Sequence, residues 1–548
     1  MIKKLFLKFL VLGIIQIPFA LSATPKLIVV ISVDQLRYDY LVRFREHFGE
    51  GGFMYLFNNG ANFINATYKH ALNMTGPGHA VISTGSYGNQ NGIFANNWYD
   101  VIAKQDVYCV GDRSVDGVGN FSARMSPANL IGSTFGDELR MHSNFHSKVI
   151  SVSSKDRAAV LLGGKLADGA YWMSDSSFVT STYYMDDLPD WVSSFNKSGL
   201  INSYFGRKWK RALPDAAYAS MDKDDAPYEG VGDGLGRTFP HTITGDDTSR
   251  ISSSYYWALL SSPFGNEILS SFAKEAMKAE KLGRRGFTDL VCIGFSSNDY
   301  VGHLFGPQSQ EATDITVQTD RILTDLFAFI DTEVGLTNCV IVLTSDHGVA
   351  PIPEYLLAQN EHIDAGRLMQ KTLMNYCTTA LIRTFGQLKD NQRWLDRITN
   401  YNIYLNRDMI RQKKLTIEQV AKALADSLLN MREIATSFTR QEMMTLVDSS
   451  PIEQRMKRSF HRLRSGDIVY ALKPYFIEGY GATGTTHGSP YDYDAHVPMI
   501  IVGSGIRKGT FASEVSPADI APTLSALLGV EFPAGREGRV LEEALRLP

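Results

Sequence analysis

Five short runs of apolar, largely β-branched residues recur along the 548-residue chain: Leu27–Val33 (LIVVISV), Lys148–Val152, Leu290–Phe295, Cys339–Thr344 and Val497–Val502. A continuous apolar run of this length marks a strand covered on both faces, whereas a half-exposed strand alternates. The segments between the runs carry helical periodicity, as in Thr313–Val334. That alternation predicts an α/β fold: a doubly wound, mostly parallel sheet flanked by helices. Residues about 165–285 and 355–475 hold no comparable run and are rich in aromatic and polar residues. They predict two large insertions that form a cap or walls around the sheet. No internal repeat or low-complexity linker interrupts the pattern.

Composition agrees with one large globular unit. At 44% hydrophobic and 20% charged residues, the chain is neither disordered, coiled-coil nor a disulfide-dense miniprotein. A formal charge of −4 without a long basic run argues against nucleic acid as a dedicated partner. Residues 1–22 read as a signal peptide. Lys3, Lys4 and Lys8 form a cationic start, Phe9 to Leu21 an apolar stretch, and Ala20-Leu21-Ser22 a small-x-small cleavage site. The remainder, 23–548, then carries a formal charge of −7 and no second apolar run long enough to span a membrane. The expected product is periplasmic or secreted, with no membrane attachment after cleavage and an oligomeric state the sequence leaves open. Cys109, Cys292, Cys339 and Cys377 lie far apart with no CxxC pair. Cys292 and Cys339 fall inside strand runs, where buried thiols are expected.

Function enters with what stands at the strand ends. Asp34 follows the first run, Lys155 and Arg157 the second, Asp299 the third and Asp346-His347 the fourth. His487 precedes the fifth in a Gly-rich loop. Ligands of open α/β sheets bind outside the carboxyl ends of the strands, so these loops are expected to converge on one site. Asp299 and His303 are spaced i,i+4 in DYVGH, which puts both on one face of a helical turn. Asp34, Asp299, Asp346, His303, His347 and His487 together offer three carboxylates and three imidazoles. That donor set suits two zinc centres of three protein ligands each. Taken singly, each has a bland reading as a helix cap or a core histidine.

The segment Asn73-Met74-Thr75-Gly76-Pro77-Gly78-His79 leads into AVISTG, which reads as a helix. Thr75 then stands at a helix N-terminus, where free N–H groups favour an anion, and is either a nucleophile or an ordinary N-cap. His79 reads as structural. Lys155 and Arg157 are spaced i,i+2, so in an extended segment both point to one side. Two fixed cations suit a dianionic oxyanion, while a solvated charged turn is the plain alternative. In FANNWYD, Asn96 and Asn97 are chemically indistinguishable as further donors.

These residues carry a resemblance. The segments VISVDQLRYDY, NMTGPGHAVISTG, GIFANNWYD, SSKDRAAVLLGG, FSSNDYVGHLFGP, VLTSDHGV and THGSPYDYDAHVPMII resemble the alkaline phosphatase superfamily. The likeness is nearest to its phosphate-irrepressible periplasmic alkaline phosphatases with a Thr nucleophile, and spans essentially the whole mature chain. It implies an alkaline phosphatase-like fold and a zinc-dependent phosphomonoesterase acting through a phosphothreonine intermediate. It further implies two Zn²⁺ per chain, one held by Asp299, His303 and His487. The other would be held by Asp34, Asp346 and His347, with Thr75 as a further oxygen. Asn96, rather than Asn97, and the pair Lys155 and Arg157 match the family's phosphoryl-contacting positions. No segment matches the Ser nucleophile or third, Mg²⁺ site of enterobacterial-type enzymes.

Expected substrates are small phosphate monoesters. A phosphodiesterase or nucleotide pyrophosphatase on the same two-zinc fold is the alternative, disfavoured because a diester has less charge for Lys155 and Arg157 to match. A sulfatase lacks support, since no Cys or Ser stands two residues before a Pro with the Arg that would follow. A cofactor-independent phosphoglycerate mutase conflicts with the export signal. A non-catalytic secreted binding protein would be expected to have lost a ligand or the nucleophile, and every matched position retains suitable chemistry.

Overall fold

The computed structural model describes residues 24–389, 391–447, 450–479 and 481–546, so the expected signal peptide lies outside the described residues. Among them, a central sheet of ten strands runs in the order Gly509–Phe511, Ala61–Phe63, Met499–Gly503, Cys339–Thr344, Leu27–Val33, Asp289–Phe295, Val149–Ser153, Gly169–Ser174, Ser177–Ser181, Gly117–Val118. The five strands from Cys339–Thr344 to Gly169–Ser174 are adjacent and mutually parallel. Their carboxyl ends form one edge. Leu27–Val33 shows why its run is continuous: Leu27, Val29, Ile31 and Val33 enter one core, while Ile28 and Val30 enter another on the opposite face. Both faces are dry, so neither set of positions tolerates polarity.

Two strand expectations are corrected. Val497–Val502 was expected to be parallel, but Met499–Gly503 pairs antiparallel with Cys339–Thr344, Thr344 lying opposite Met499. The reversal is what brings His487 to the site. A residue preceding a strand reaches the carboxyl edge of its parallel neighbours only if that strand runs the other way. The second correction is that residues 165–285 are not free of strands. Gly169–Ser174 and Ser177–Ser181 extend the main sheet as a hairpin turning at Asp175. Their buried surface comes from Tyr171, Trp172 and Phe178 rather than from a β-branched aliphatic run, which hid them.

Residues 355–475 build a four-stranded antiparallel sheet, in the order Leu395–Thr399, Asn402–Leu405, Ile468–Leu472, Ile434–Thr439. The burial of Ile434–Thr439 varies along the strand, unlike the uniform burial of Leu27–Val33. Its core, with Ile403, Tyr404, Leu424 and Tyr470, is continuous with Leu72, Met74, Ile93 and Phe94. This unit therefore backs the two segments that carry Thr75 and Asn96. The four cysteines are buried and free, and no described helix is long and apolar enough to cross a membrane. Because Ile31 is fully buried at the centre of the sheet, Ile31→Ala is expected to lower stability by about 2–5 kcal/mol, read as a shifted midpoint in urea unfolding.

Candidate active site and metal centre

Adjacent parallel strands lie about 4.8 Å apart, and their order places the site residues along the carboxyl edge. From one strand to the next come Asp346-His347, Asp34, Asp299 and Lys155. Asp299 and His303 sit one turn apart on the helix Ser297–Phe305, with His303 Nε2 3.2 Å from Asp299 Oδ1. His487 Nε2 approaches the same oxygen at 3.7 Å. His347 Nε2 lies 3.4 Å from Asp34 Oδ1 and 3.3 Å from Asp346 Oδ2. The His347 and His487 rings stack at 3.6 Å. Two groups of donor atoms are compact enough to hold an ion: Asp299, His303 and His487, and Asp34, Asp299 and His347. Asp346 falls outside the second group, although its Oδ2 is buried without a hydrogen-bond partner.

The imidazoles are oriented for ligation. Nδ1 of His303, His347 and His487 faces the carbonyl of Thr485, Gly348 and Asn73 at 2.8, 2.8 and 2.7 Å. Each Nδ1 therefore donates to its carbonyl, which leaves Nε2 aimed at the carboxylates. Burial drives the pKa of His347 down to about 3 and that of His487 well below its ordinary value, the neighbouring His347 adding to the latter. The neutral lone pairs of His347 and His487 repel the carboxylate oxygens they face unless a cation lies between, whereas at His303 burial is outweighed by Asp299, which raises its pKa. The buried, unpartnered Asp34 Oδ1 and Asp346 Oδ2 make the same demand. The donor set thus fits a divalent metal.

Asp299 sits at the centre of the charge balance. Burial opposes its ionisation, but His303 and Lys155 outweigh that and hold it well below the usual carboxylate range. Burial raises Asp34, and the charge on Asp299 adds to it. Burial also raises Asp346, with Asp34 adding there. Lys155, only 3% exposed, places Nζ 2.6 Å from Asp34 Oδ2 and 2.5 Å from Asp299 Oδ2. Burial works against its charge, but these two carboxylates more than compensate and raise its pKa.

Thr75 begins the helix Thr75–Thr84, and the N-cap Met74 offers no side-chain cap. Its Oγ1 lies 3.4 Å from His347 Nε2 and 3.5 Å from Arg157 Nη2. The helix can approach this closely because a Cβ at Gly78 would sit 2.2 Å from the Asp346 carbonyl oxygen. Asn96 Oδ1 accepts from the Gly76 N–H at 2.8 Å, while Asn97 starts the Asn97–Asp100 strand with an exposed side chain. Lys155 and Arg157 do converge, but not from an extended segment. Lys155 is the N-cap and Arg157 the second residue of the helix Asp156–Gly163. The structure thus gathers all the expected site residues at one edge.

Two further neighbours border the site: His79, read from the sequence as structural, and Gln35, which the sequence does not single out. His79 Nδ1 donates to the Thr75 carbonyl at 2.8 Å and lies 3.3 Å from Asp346 Oδ2 without hydrogen-bonding it. Gln35, at φ +66°, donates Nε2 to Asp299 Oδ1 at 2.6 Å and its backbone N–H to Asp346 Oδ1 at 3.2 Å. A non-glycine residue in the left-handed region is held there by such contacts. Nothing in a glutamine after a strand signals this, since the bonds span 264 and 311 residues.

Comparison with known proteins shows the family. Residues 28–490 match the family described as type I phosphodiesterase/nucleotide pyrophosphatase. The alkaline phosphatase PhoV of Synechococcus elongatus is 37% identical over 529 residues, covering 96% of this chain and 94% of that protein. The alkaline phosphatase PafA of Elizabethkingia meningoseptica is 33% identical over 527 residues, covering 95% and 94%. The crystal structure of wild-type PafA superposes with a TM-score of 0.90 over 95% of this chain and 99% of that one. Murine ectonucleotide pyrophosphatase/phosphodiesterase 5, at 15% identity and a TM-score of 0.52, shares the fold.

The role of Gln35 can be tested without touching a ligand. A Cβ at Gly302 would lie 1.7 Å from Gln35 Oε1, so Gly302→Ala is expected to push the carboxamide off Asp299. Alanine is otherwise the better helix former. Divalent-metal affinity, measured by chelator competition, should fall about tenfold, and an unchanged affinity would refute a positioning role for Gln35.

Proposed function

Because the chain belongs to the type I phosphodiesterase/nucleotide pyrophosphatase family, we propose that it is an exported phosphomonoesterase of the alkaline phosphatase kind. The single observation that carries this reading is the pair of cations, Lys155 buried and Arg157 half-buried. Lys155 bridges Asp34 and Asp299, and Arg157 reaches Thr75 Oγ1. A monoester dianion carries one negative charge more than a diester and gains more from both cations. The named alkaline phosphatases PhoV and PafA among the relatives support the same choice. Diester hydrolysis, which the family description also covers, is the second reading.

The reaction follows from the chain's own groups. Thr75 Oγ attacks phosphorus, the ester oxygen leaves with the substrate's alcohol, and phospho-Thr75 remains. Water then attacks the same phosphorus, Thr75 Oγ departs, and inorganic phosphate is released. Phosphoryl transfer asks for positioning and charge matching more than covalent help. Arg157 aims its fork at the Thr75 oxygen, its Nη1 lying 3.3 Å from the Tyr108 hydroxyl. Asn96 spends its Oδ1 on the Gly76 N–H, which leaves its amide protons to donate to a phosphoryl oxygen. Lys155 supplies a fixed positive charge beside the carboxylates. Two zinc ions, one at Asp299, His303 and His487 and one at Asp34, Asp346 and His347 with Thr75, would lower the pKa of the Thr75 hydroxyl and of bound water and neutralise the leaving oxygen. Asp346 is preferred to Asp299 in the second set, since its Oδ2 is buried without a hydrogen-bond partner and lies 3.3 Å from His347 Nε2. Export, to the periplasm or beyond, rests on residues 1–22.

Thr75→Ala is expected to abolish labelled phosphate incorporation, and incorporation at wild-type stoichiometry would overturn the nucleophile assignment. Arg157→Ala should reduce kcat/KM for p-nitrophenyl phosphate by about 10²-fold or more, and for bis-p-nitrophenyl phosphate far less. Equal losses would favour the diesterase. Wild-type monoester turnover should vanish on chelation and return with zinc.

A further inference from the structure

His487 lies in a segment, residues 485–489, that is neither helix nor strand. A metal ligand carried on a loop is placed only as well as the loop is anchored. Gly488, at φ +115°, gives the loop little rigidity of its own, since glycine is the least restrained residue. The anchor is Asp494, on the short helix Asp492–Ala495 and fully buried. Its Oδ2 accepts the Gly488 N–H at 3.0 Å and the Ser489 N–H at 2.7 Å. Its Oδ1 is buried without a hydrogen-bond partner. Arg37, the cation whose charge reaches it, commits Nε and Nη2 to Asp39 instead. Such a carboxylate is costly to keep, and burial pushes its pKa up to about 7 despite the bonds from Ser489. The bonds that offset that cost all come from the two residues directly after His487.

Asp494 also reaches the turn that carries His347. Its carbonyl accepts the Gly348 N–H at 2.7 Å, and the Tyr493 carbonyl accepts the Val349 N–H at 2.9 Å. Gly348 directly follows His347, and its own carbonyl accepts from His347 Nδ1. Asp494 therefore grips the residue after His487 by its side chain and the residue after His347 by its main chain. The two imidazole rings stack at 3.6 Å between these grips. From another direction, Asn73 donates Nδ2 to the Ser489 carbonyl at 2.7 Å, and its carbonyl faces His487 Nδ1. The loop is thus clamped on both sides of the ligand.

We propose that Asp494 is a positioning residue of the metal centre, its carboxylate fixing the His487 loop against the His347 turn so that both imidazoles are held in register. The inference rests on the reading of the site as a metal centre and is indifferent to whether a monoester or a diester is cleaved.

The test measures zinc affinity by chelator competition, and the rise in melting temperature on adding zinc, in the wild-type protein, Asp494→Asn, Asp494→Ala and Asp494→Glu. Asp494→Asn keeps an acceptor oxygen for both N–H groups and should retain the wild-type zinc affinity. Asp494→Ala removes it and should weaken zinc binding about tenfold or more, with a smaller zinc-dependent rise in melting temperature. A residue that merely stabilised the fold would lower the melting temperature equally with and without zinc. Folded Asp494→Ala with wild-type zinc affinity overturns the proposal, as does Asp494→Asn that loses as much affinity as Asp494→Ala. If Asp494→Ala does not fold, Asp494→Glu carries the same expectation, since it keeps the charge but displaces the acceptor by one methylene. Wild-type affinity in that variant overturns the proposal too. Wild-type protein that binds no zinc overturns the metal-centre reading, and the positioning role falls with it.

Discussion

Three carboxylates, Asp34, Asp299 and Asp346, are buried at the ends of three adjacent strands, and the rest of the site answers that charge. Unpaired buried carboxylates either take up a proton or require cations close by. Here Lys155 binds Oδ2 of Asp34 and Asp299, and three imidazoles turn their Nε2 atoms toward the Oδ1 atoms of the same carboxylates. Because every Nδ1 is committed to a carbonyl, the imidazoles cannot both stay neutral and donate to the carboxylates. The arrangement is stable as a site that holds positive charge, and that is the property phosphoryl transfer uses.

The surrounding architecture keeps these groups from relaxing. Five parallel strands, dry on both faces, set the spacing of the edge residues. The antiparallel Met499–Gly503 strand returns the chain so that His487 stacks on His347. Residues 355–475 share a core with the segments around Met74 and Phe94, so the helix carrying Thr75 is braced from outside the sheet. Gln35 then fixes individual carboxylate oxygens, and His79 holds the Thr75 carbonyl. Each element acts on position, which is what a reaction limited by orientation and charge matching needs.

Much of this was legible in the residues. The strand runs betrayed themselves because strands buried on two faces are built mainly of apolar residues, and the three Asp residues and His347 stood out because they follow such runs closely. DYVGH declared its shared face through helical spacing. What stayed hidden had no local signature. The Gly169–Ser174 strand is built from aromatic and small residues, Gln35 acts only through partners hundreds of residues away, and Lys155 and Arg157 converge from a helix start rather than an extended segment. Asp494 cannot be told from Asp492 by sequence, although one is buried and the other exposed.

The sequence by itself determined the chemistry on offer: which carboxylates, imidazoles, cations and hydroxyl exist, and that most of them stand close to buried strands. It did so because side-chain type and two-faced burial are local properties. The tertiary structure alone decided strand order and direction, and with them which groups meet. Pairing partners are chosen by packing of whole faces, a non-local energy that no single segment encodes. Thus Asp299 lies between Asp34 and Lys155, His487 is reached through a reversed strand, and Asp494 comes to hold the His487 loop against the His347 turn.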